Sequence, residues 1–257
     1  MAYWTAFPHA GECDFDIAKV IKHWARLHRG DGEPQPKDRK VLQAWAFFHS
    51  GEFQKAAEVG LEAGGAGITV ANKATCIYAT YLEKKEQTRL ELYLEVAKRA
   101  QAQALREPNN ANAWYWQAYA LGRYSQCISV AKALAQGIGG TVKLALETTI
   151  RLQPRHADAY IALGAFHAEV IDKVGTLIGS MTYGARKDVG LKLFQDALSI
   201  IPGSVIGMIE QANALVMLEG ERYMNEATRL YEQAAKTQPF DAMEWLDVDM
   251  ARAELDD

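Results

Sequence analysis

Apolar residues recur along this chain at spacings of three and four, and almost nowhere in alternation, so the elements the pattern predicts are helices. Ala, Leu, Glu, Lys and Gln dominate the periodic stretches, and all five favour helix. Four of these runs end in a proline: "AQAQALREP" at Pro108, "LALETTIRLQP" at Pro154, "LFQDALSIIP" at Pro202 and "LYEQAAKTQP" at Pro239. Proline lacks the N–H a helix needs and clashes with the preceding turn, so four helices stop at these points. After each, polar or small residues lead into a new periodic run. The intervals between the prolines are 46, 48 and 37 residues. Repetition on this scale is the mark of helical units stacked in an array.

Within the runs a finer pattern returns. "VLQAWAFFHSGEFQKAAEVGLEAG" sets small Ala44 where two helices cross, Phe47 at an aromatic position, Gly51 and Phe53 at the turn, and Ala56 and Ala63 facing back. "ADAYIALGAFH" supplies Tyr160, Leu163 and Gly164, and the unit before it opens with Trp114 and Ala118. The last unit supplies Ala212, Gly220, Tyr223, Ala227, Tyr231, Ala234 and Pro239. In these positions the chain resembles the tetratricopeptide repeats, which set Trp, Leu-Gly and Tyr on a first helix and Ala, Phe and Ala on a second. The resemblance implies an all-α, right-handed α-α superhelix whose concave surface binds a peptide or protein segment.

The middle units are longer than an ordinary repeat. Trp114 precedes Pro154 by 40 residues and Tyr160 precedes Pro202 by 42, against roughly 28 in the standard unit. The additional residues keep a helical apolar stripe, Ile128, Ala131, Leu134 and Ile138 in one unit and Val170, Val174, Leu177, Ile178 and Met181 in the other. They predict elongated first helices, stopped by glycine at "GIGG" and "TYGARKD". Two extended repeats of this kind resemble the regulators of microtubule dynamics and their bacterial relatives, over about residues 111–239. "YGARKDVGLKLFQDALSIIP" is most like the bacterial members. The transporter-associated tetratricopeptide lipoproteins are similar too and imply solute uptake, but this chain lacks their lipoprotein cysteine signal.

Solenoids need ends that cover the apolar face of the last repeat. Residues 1–36 are expected to form an N-terminal arm and capping helix, 37–240 the repeats, and 241–257 an acidic C-terminal capping helix. "DFDIAKVIKHWARLHRGD" is amphipathic, with Asp14 or Asp16 to cap its start and Gly30 or Gly32 its end; "EPQPK" follows as a rigid connector. Residues 241–257 hold seven acidic side chains and one Arg, while the whole chain carries only −4. No global basic field exists to attract nucleic acid or anionic lipid. The acidic end reads as a solvated cap, or as a docking element in a larger assembly.

Position within a repeat sorts the aromatic segment "NNANAWYWQAYALGRYSQC". Trp114, Ala118 and Leu121 are expected to face the partner helix, and Asn112, Tyr115, Tyr119, Gly122 and Arg123 the concave surface, with Trp116 between. Neighbouring repeats offer Trp45 and, along one face, Asp158, Ile161, Ala165 and Glu169. Arg123 can grip a carboxylate as a bidentate pair; the other reading is a bridge to Glu169 or a plain surface charge. Lys132 falls where the narrower resemblance also implies a basic residue. The candidate binding residues are therefore Trp45, Asn112, Tyr115, Tyr119, Arg123, Lys132 and Glu169. Trp45 has a competing reading, packed beneath the N-terminal helix.

No catalytic constellation emerges. "GLEAGGAGITV" lacks the Lys-Ser/Thr of a phosphate loop and reads as a helix stop plus turn. His167 and Glu169 point to different sides of a helix, and His167 reads as a packed core residue. His23 and His28 miss the i, i+4 spacing that aims two imidazoles at one metal. Cys13, Cys76 and Cys127 are widely separated, odd in number and without CxxC or Cys/His metal spacing, so neither a disulfide framework nor a zinc site is expected. The expectation is a non-enzyme with no cofactor or metal, a protein or peptide partner, and a homo-oligomer as an option. No run approaches the length of a membrane span, and the opening residues carry no secretory signal. Cytoplasmic residence is expected, or periplasmic if a leader has been removed. A solute-binding accessory protein and a structural subunit are the alternative functions.

Overall fold

The computed structural model describes residues 3–256, and every regular element among them is helical. Five antiparallel pairs follow one another along the chain. They are α2 (Arg39–His49) with α3 (Phe53–Ala63), α4 (Gly67–Tyr81) with α5 (Glu86–Arg106), α6 (Ala111–Gln126) with α8 (Ile138–Leu152), α9 (Ala157–Val174) with α11 (Lys187–Ile200), and α12 (Val205–Glu219) with α13 (Met224–Ala235). Helix α1 (Ile17–Leu27) precedes them and α14 (Ala242–Asp256) follows. Successive pairs pack on one another, the stacking expected of a helical solenoid.

The prolines act as the pattern predicts. Helices α5, α8, α11 and α13 stop at Arg106, Leu152, Ile200 and Ala235, just before Pro108, Pro154, Pro202 and Pro239. Two residues after each of the first three prolines stands the cap of the next helix. Asn110, His156 and Ser204 each accept a hydrogen bond from the backbone N–H three residues on, satisfying donors that the first turn leaves free. Small residues bring the paired helices together. A Cβ on Gly164 would lie 2.8 Å from the Phe194 ring, so that glycine is required by the close approach of α9 and α11.

The additional residues of the middle units do not lengthen the first helices. Helix α6 ends at Gln126 and α9 at Val174, and short separate helices follow: α7 (Val130–Ala135) and α10 (Thr176–Tyr183). Ser129 starts α7 by accepting from Lys132 N, and Gly175, at φ +81°, breaks the chain between α9 and α10. The apolar stripe is continuous in sequence, but the backbone turns at Cys127–Ser129 and at Gly175. Glycine does end α10, at left-handed Gly184. At "GIGG" left-handed Gly137 likewise ends α7, while Gly139 and Gly140 lie inside α8.

Both ends of the chain fold inward. Asp16 caps α1, whose C-cap is His28, not either of the glycines that the sequence offers. The segment 28–36 then crosses the concave side. Lys73 Nζ donates to Asp31 at 2.6 Å, Asn112 Nδ2 to Glu33 at 2.6 Å, Gln153 Nε2 to the Gly32 carbonyl at 3.0 Å, and Asp158 N to the Gly30 carbonyl at 3.2 Å. Four different helices or their ends thus hold it as they would a bound peptide. Glycine is favoured at position 32, since its φ is +52° and a Cβ would displace the Gln153 amide that holds its carbonyl.

From the other end, α14 packs on α12 and α13 and reaches α2. Glu244 takes Arg26 at 2.6 Å and Arg29 at 3.2 Å, Asp241 takes His49 at 2.6 Å, Asp249 takes His9, and Tyr81 donates to Asp247. Four of the acidic residues of 241–257 thus hold the two ends of the solenoid together.

Candidate functional site

With the segment 28–36 and α14 in place, the concave surface retains one large cavity, of about 220 Å³. Its floor is the inner face of α6, α9 and α12. Tyr115, Tyr119, Gly122 and Arg123 recur along α6 at helical spacing, Asp158, Ile161, Ala165 and Glu169 along α9, and Ile206 and Glu210 along α12. Met243 of α14 borders one side. On the other side the cavity deepens between α8 and α9 into an apolar chamber. Ile138, Val142, Phe166, Val170 and Tyr183 line it, and Val130 and Leu134 of α7 wall it. The residues beyond a standard repeat are therefore what encloses this space.

The polar wall is tightly connected. Arg123 Nη2 pairs with Glu210 at 2.9 Å and its guanidinium lies 5.3 Å from the Tyr119 ring centre, in cation–π contact. The Tyr119 hydroxyl bonds Thr80 at 3.2 Å. Gln126 donates to Glu169. Burial, and then the charge of Glu210, pushes the Glu169 carboxyl up to about 7; burial, and then Asp31, pushes Asp158 up to about 6. Neither Glu169 nor Asp158 makes an ion pair among the described residues.

Of the candidate binding residues, the structure brings Tyr115, Tyr119, Arg123 and Glu169 together on this cavity. It places the others elsewhere. Trp45 is fully buried in the N-terminal core, edge-on to Trp24 of α1, the competing reading of that residue. Asn112 is buried beneath the segment 28–36, holding Glu33 through its amide N–H and meeting His156 through its amide oxygen. Lys132 is exposed on α7, 6.0 Å from the Tyr124 ring. Arg123 pairs with Glu210, not Glu169. Trp114 is only half-buried, its indole N–H on the Pro108 carbonyl, and it is Trp116 that fills the core.

Sequence reasoning missed the wall from α7 and α8, along with Ile206, Glu210 and Met243. Ile206 and Glu210 stand one turn apart on α12 and repeat the spacing of Tyr115 and Tyr119, which is a legible signal. Ile209, the residue before Glu210, is core. His167 is core as expected, its Nδ1 accepting from Arg186 N at 3.0 Å, with burial holding the imidazole down at about 4. Among the described residues no group of three or more His, Cys, Asp or Glu is placed to hold a metal ion, and no helix is long and apolar enough to cross a membrane.

The family described as Regulator of microtubule dynamics protein 1-3 matches residues 68–174, from α4 to the end of α9 and so less than half of the chain. The crystal structure of TTC0263, a thermophilic TPR protein from Thermus thermophilus, superimposes with a TM-score of 0.58. It covers 83% of this chain and 97% of its own at 14% identity. The fold of this chain is that of a tetratricopeptide-like helical solenoid. At that identity the likeness to the Thermus protein is one of fold. No curated protein matches the sequence. The matched family segment contains the α6 and α9 faces of the cavity together with α7 and α8.

Proposed function

We propose that this chain is a non-catalytic interaction module that holds a short segment of a protein partner in the cavity between α6, α9 and α12. One observation carries the reading. The chain's own segment 28–36 and helix α14 lie across part of the concave surface, and this cavity stays open beside them for a partner to enter. The cavity has what peptide capture needs: aromatic rings and charges on one wall and an apolar chamber for an anchoring side chain on the other. Tyr115, Tyr119, Arg123 and Glu169 are the contacts on this reading.

The test is selection from a randomised dodecapeptide pool on immobilised protein, followed by anisotropy titration of the selected peptides. Ala165→Trp, half-buried in the cavity wall, fills the space without touching the ends of the chain. The wild type is expected to enrich a family of peptides, and the variant to lose them at least tenfold with an unchanged melting curve. Equal binding by the variant would place the contact elsewhere and end this reading. A second reading, a solute site, draws on the closing of the cavity by α7 and by Tyr183 at the end of α10. Native mass spectrometry showing a retained small molecule that Ala165→Trp excludes would favour it.

A further inference from the structure

The cavity's polar wall is one positive charge short. Three carboxylates, Asp158, Glu169 and Glu210, line the cavity against two cations, Arg123 and Lys173; Arg123 pairs with Glu210, whose charge raises the cost of ionising Glu169. Lys173, at the rim, is turned to Asp172 at 3.3 Å. Glu169 is left with the neutral amide of Gln126 and no ion pair among the described residues. A half-buried carboxylate in this position is stabilised by a cation that arrives from outside. Beside Glu169 on α9 the cavity wall turns apolar: Val170 and Val174 line it with Val130 and Leu134 of α7. Exposed Gln126 and Lys173 border the mouth, so a side chain can enter while its backbone stays outside.

We propose that the occupant of the cavity is a partner segment carrying a lysine or arginine next to a bulky apolar residue, the cation meeting Glu169 and the apolar side chain entering the chamber behind α7. This rests on the reading of the cavity as a peptide site. Charge complementarity selects the basic residue, and the adjoining chamber selects its neighbour. An acidic or purely apolar segment would bring Glu169 no counter-charge, and the carboxyl would have to take up a proton to be covered.

The peptides selected above are read for composition at each position and titrated against wild type, Glu169→Gln and Glu169→Lys. In parallel, melting temperatures are taken with hexylammonium, hexanol and hexanoate. The inference expects Lys or Arg beside Leu, Ile or Phe in the selected peptides and about tenfold weaker binding by Glu169→Gln with the fold retained. It also expects recovery when Glu169→Lys meets the peptide with its basic residue changed to Glu. Hexylammonium should raise the melting temperature of the wild type more than hexanol or hexanoate does. Selected peptides without a basic preference, or bound equally by Glu169→Gln, overturn the inference and leave the peptide reading standing. No selected peptides, with hexylammonium still stabilising through Glu169, overturns the peptide source and leaves a small-amine site. Neither response overturns both.

Discussion

Two tryptophans two residues apart divide the aromatic segment, and only one is core. Trp116 and Trp45 are among the largest fully buried side chains, whereas Trp114 is half-buried with its indole N–H on Pro108. Truncating a buried aromatic removes contacts and leaves a void, which costs roughly 3–5 kcal/mol. Trp45→Ala should therefore lower the urea midpoint severely and Trp114→Ala by less than half as much. Equal losses would mean that the burial is misassigned. Burial has a second consequence at Glu33. Loss of solvent, and then the Asp31 charge, pushes its carboxyl up to about 8, while Asn112 donates to it at 2.6 Å. Asp247 is pushed up to about 8 as well, first by burial. In the unfolded chain both ionise near roughly 4, so the folded form binds more protons between those values. The stability they contribute is lost as pH rises through about 8. His28, His156 and His167, held down at about 4 by burial, act oppositely, but only as pH falls below their free value of 6.5. From pH 6.5 to 8.5 the melting temperature should thus fall. Glu33→Gln keeps the acceptor for Asn112 without the charge, and should flatten that fall and melt above wild type at pH 8.5. A parallel pH profile would contradict the assignment.

At the level of elements, the sequence showed most where a single residue decides the backbone. Prolines marked four helix ends because no neighbour can rescue a missing N–H. Gly164 marked a helix crossing because only hydrogen fits under the Phe194 ring. The inner stripe from Tyr115 to Arg123 and from Asp158 to Glu169 was readable because a helix returns to one face every three or four residues. The short helices α7 and α10 were not readable as separate elements. Their apolar stripes continue those of α6 and α9, and the breaks depend on a three-residue turn and on Gly175. Trp45 and Asn112 were misplaced as groove residues because what covers them, α1 and the segment 28–36, lies outside the repeat pattern that set their register. Helix α10 leaves Leu177 and Met181 73% and 80% exposed. Leu177→Gln with Met181→Gln should shift stability by less than about 0.5 kcal/mol, as expected of exposed positions. A larger loss in the isolated chain at low concentration would show that these side chains are buried in solution.

For the whole molecule, closure decides which surface is left open. A solenoid with open ends offers its entire concave surface, whereas here the acidic C-terminal helix clasps α1, α2 and α4 while the segment 28–36 fills the near end of the groove. That closure could not be foreseen from composition: the negative run at 241–257 looks solvated until its partners Arg26, Arg29, His49 and Tyr81 are brought to it by the superhelix. Hydrogen exchange with and without a saturating selected peptide tests the closed arrangement and the cavity together. Amides of residues 28–36 and α14 should be protected in the free protein and unchanged on binding, while protection rises in α7 and the neighbouring turns of α6 and α9. Loss of protection in 28–36 or α14 when the peptide binds would show that the partner displaces the chain's own segments, and that the groove beneath them is the true site.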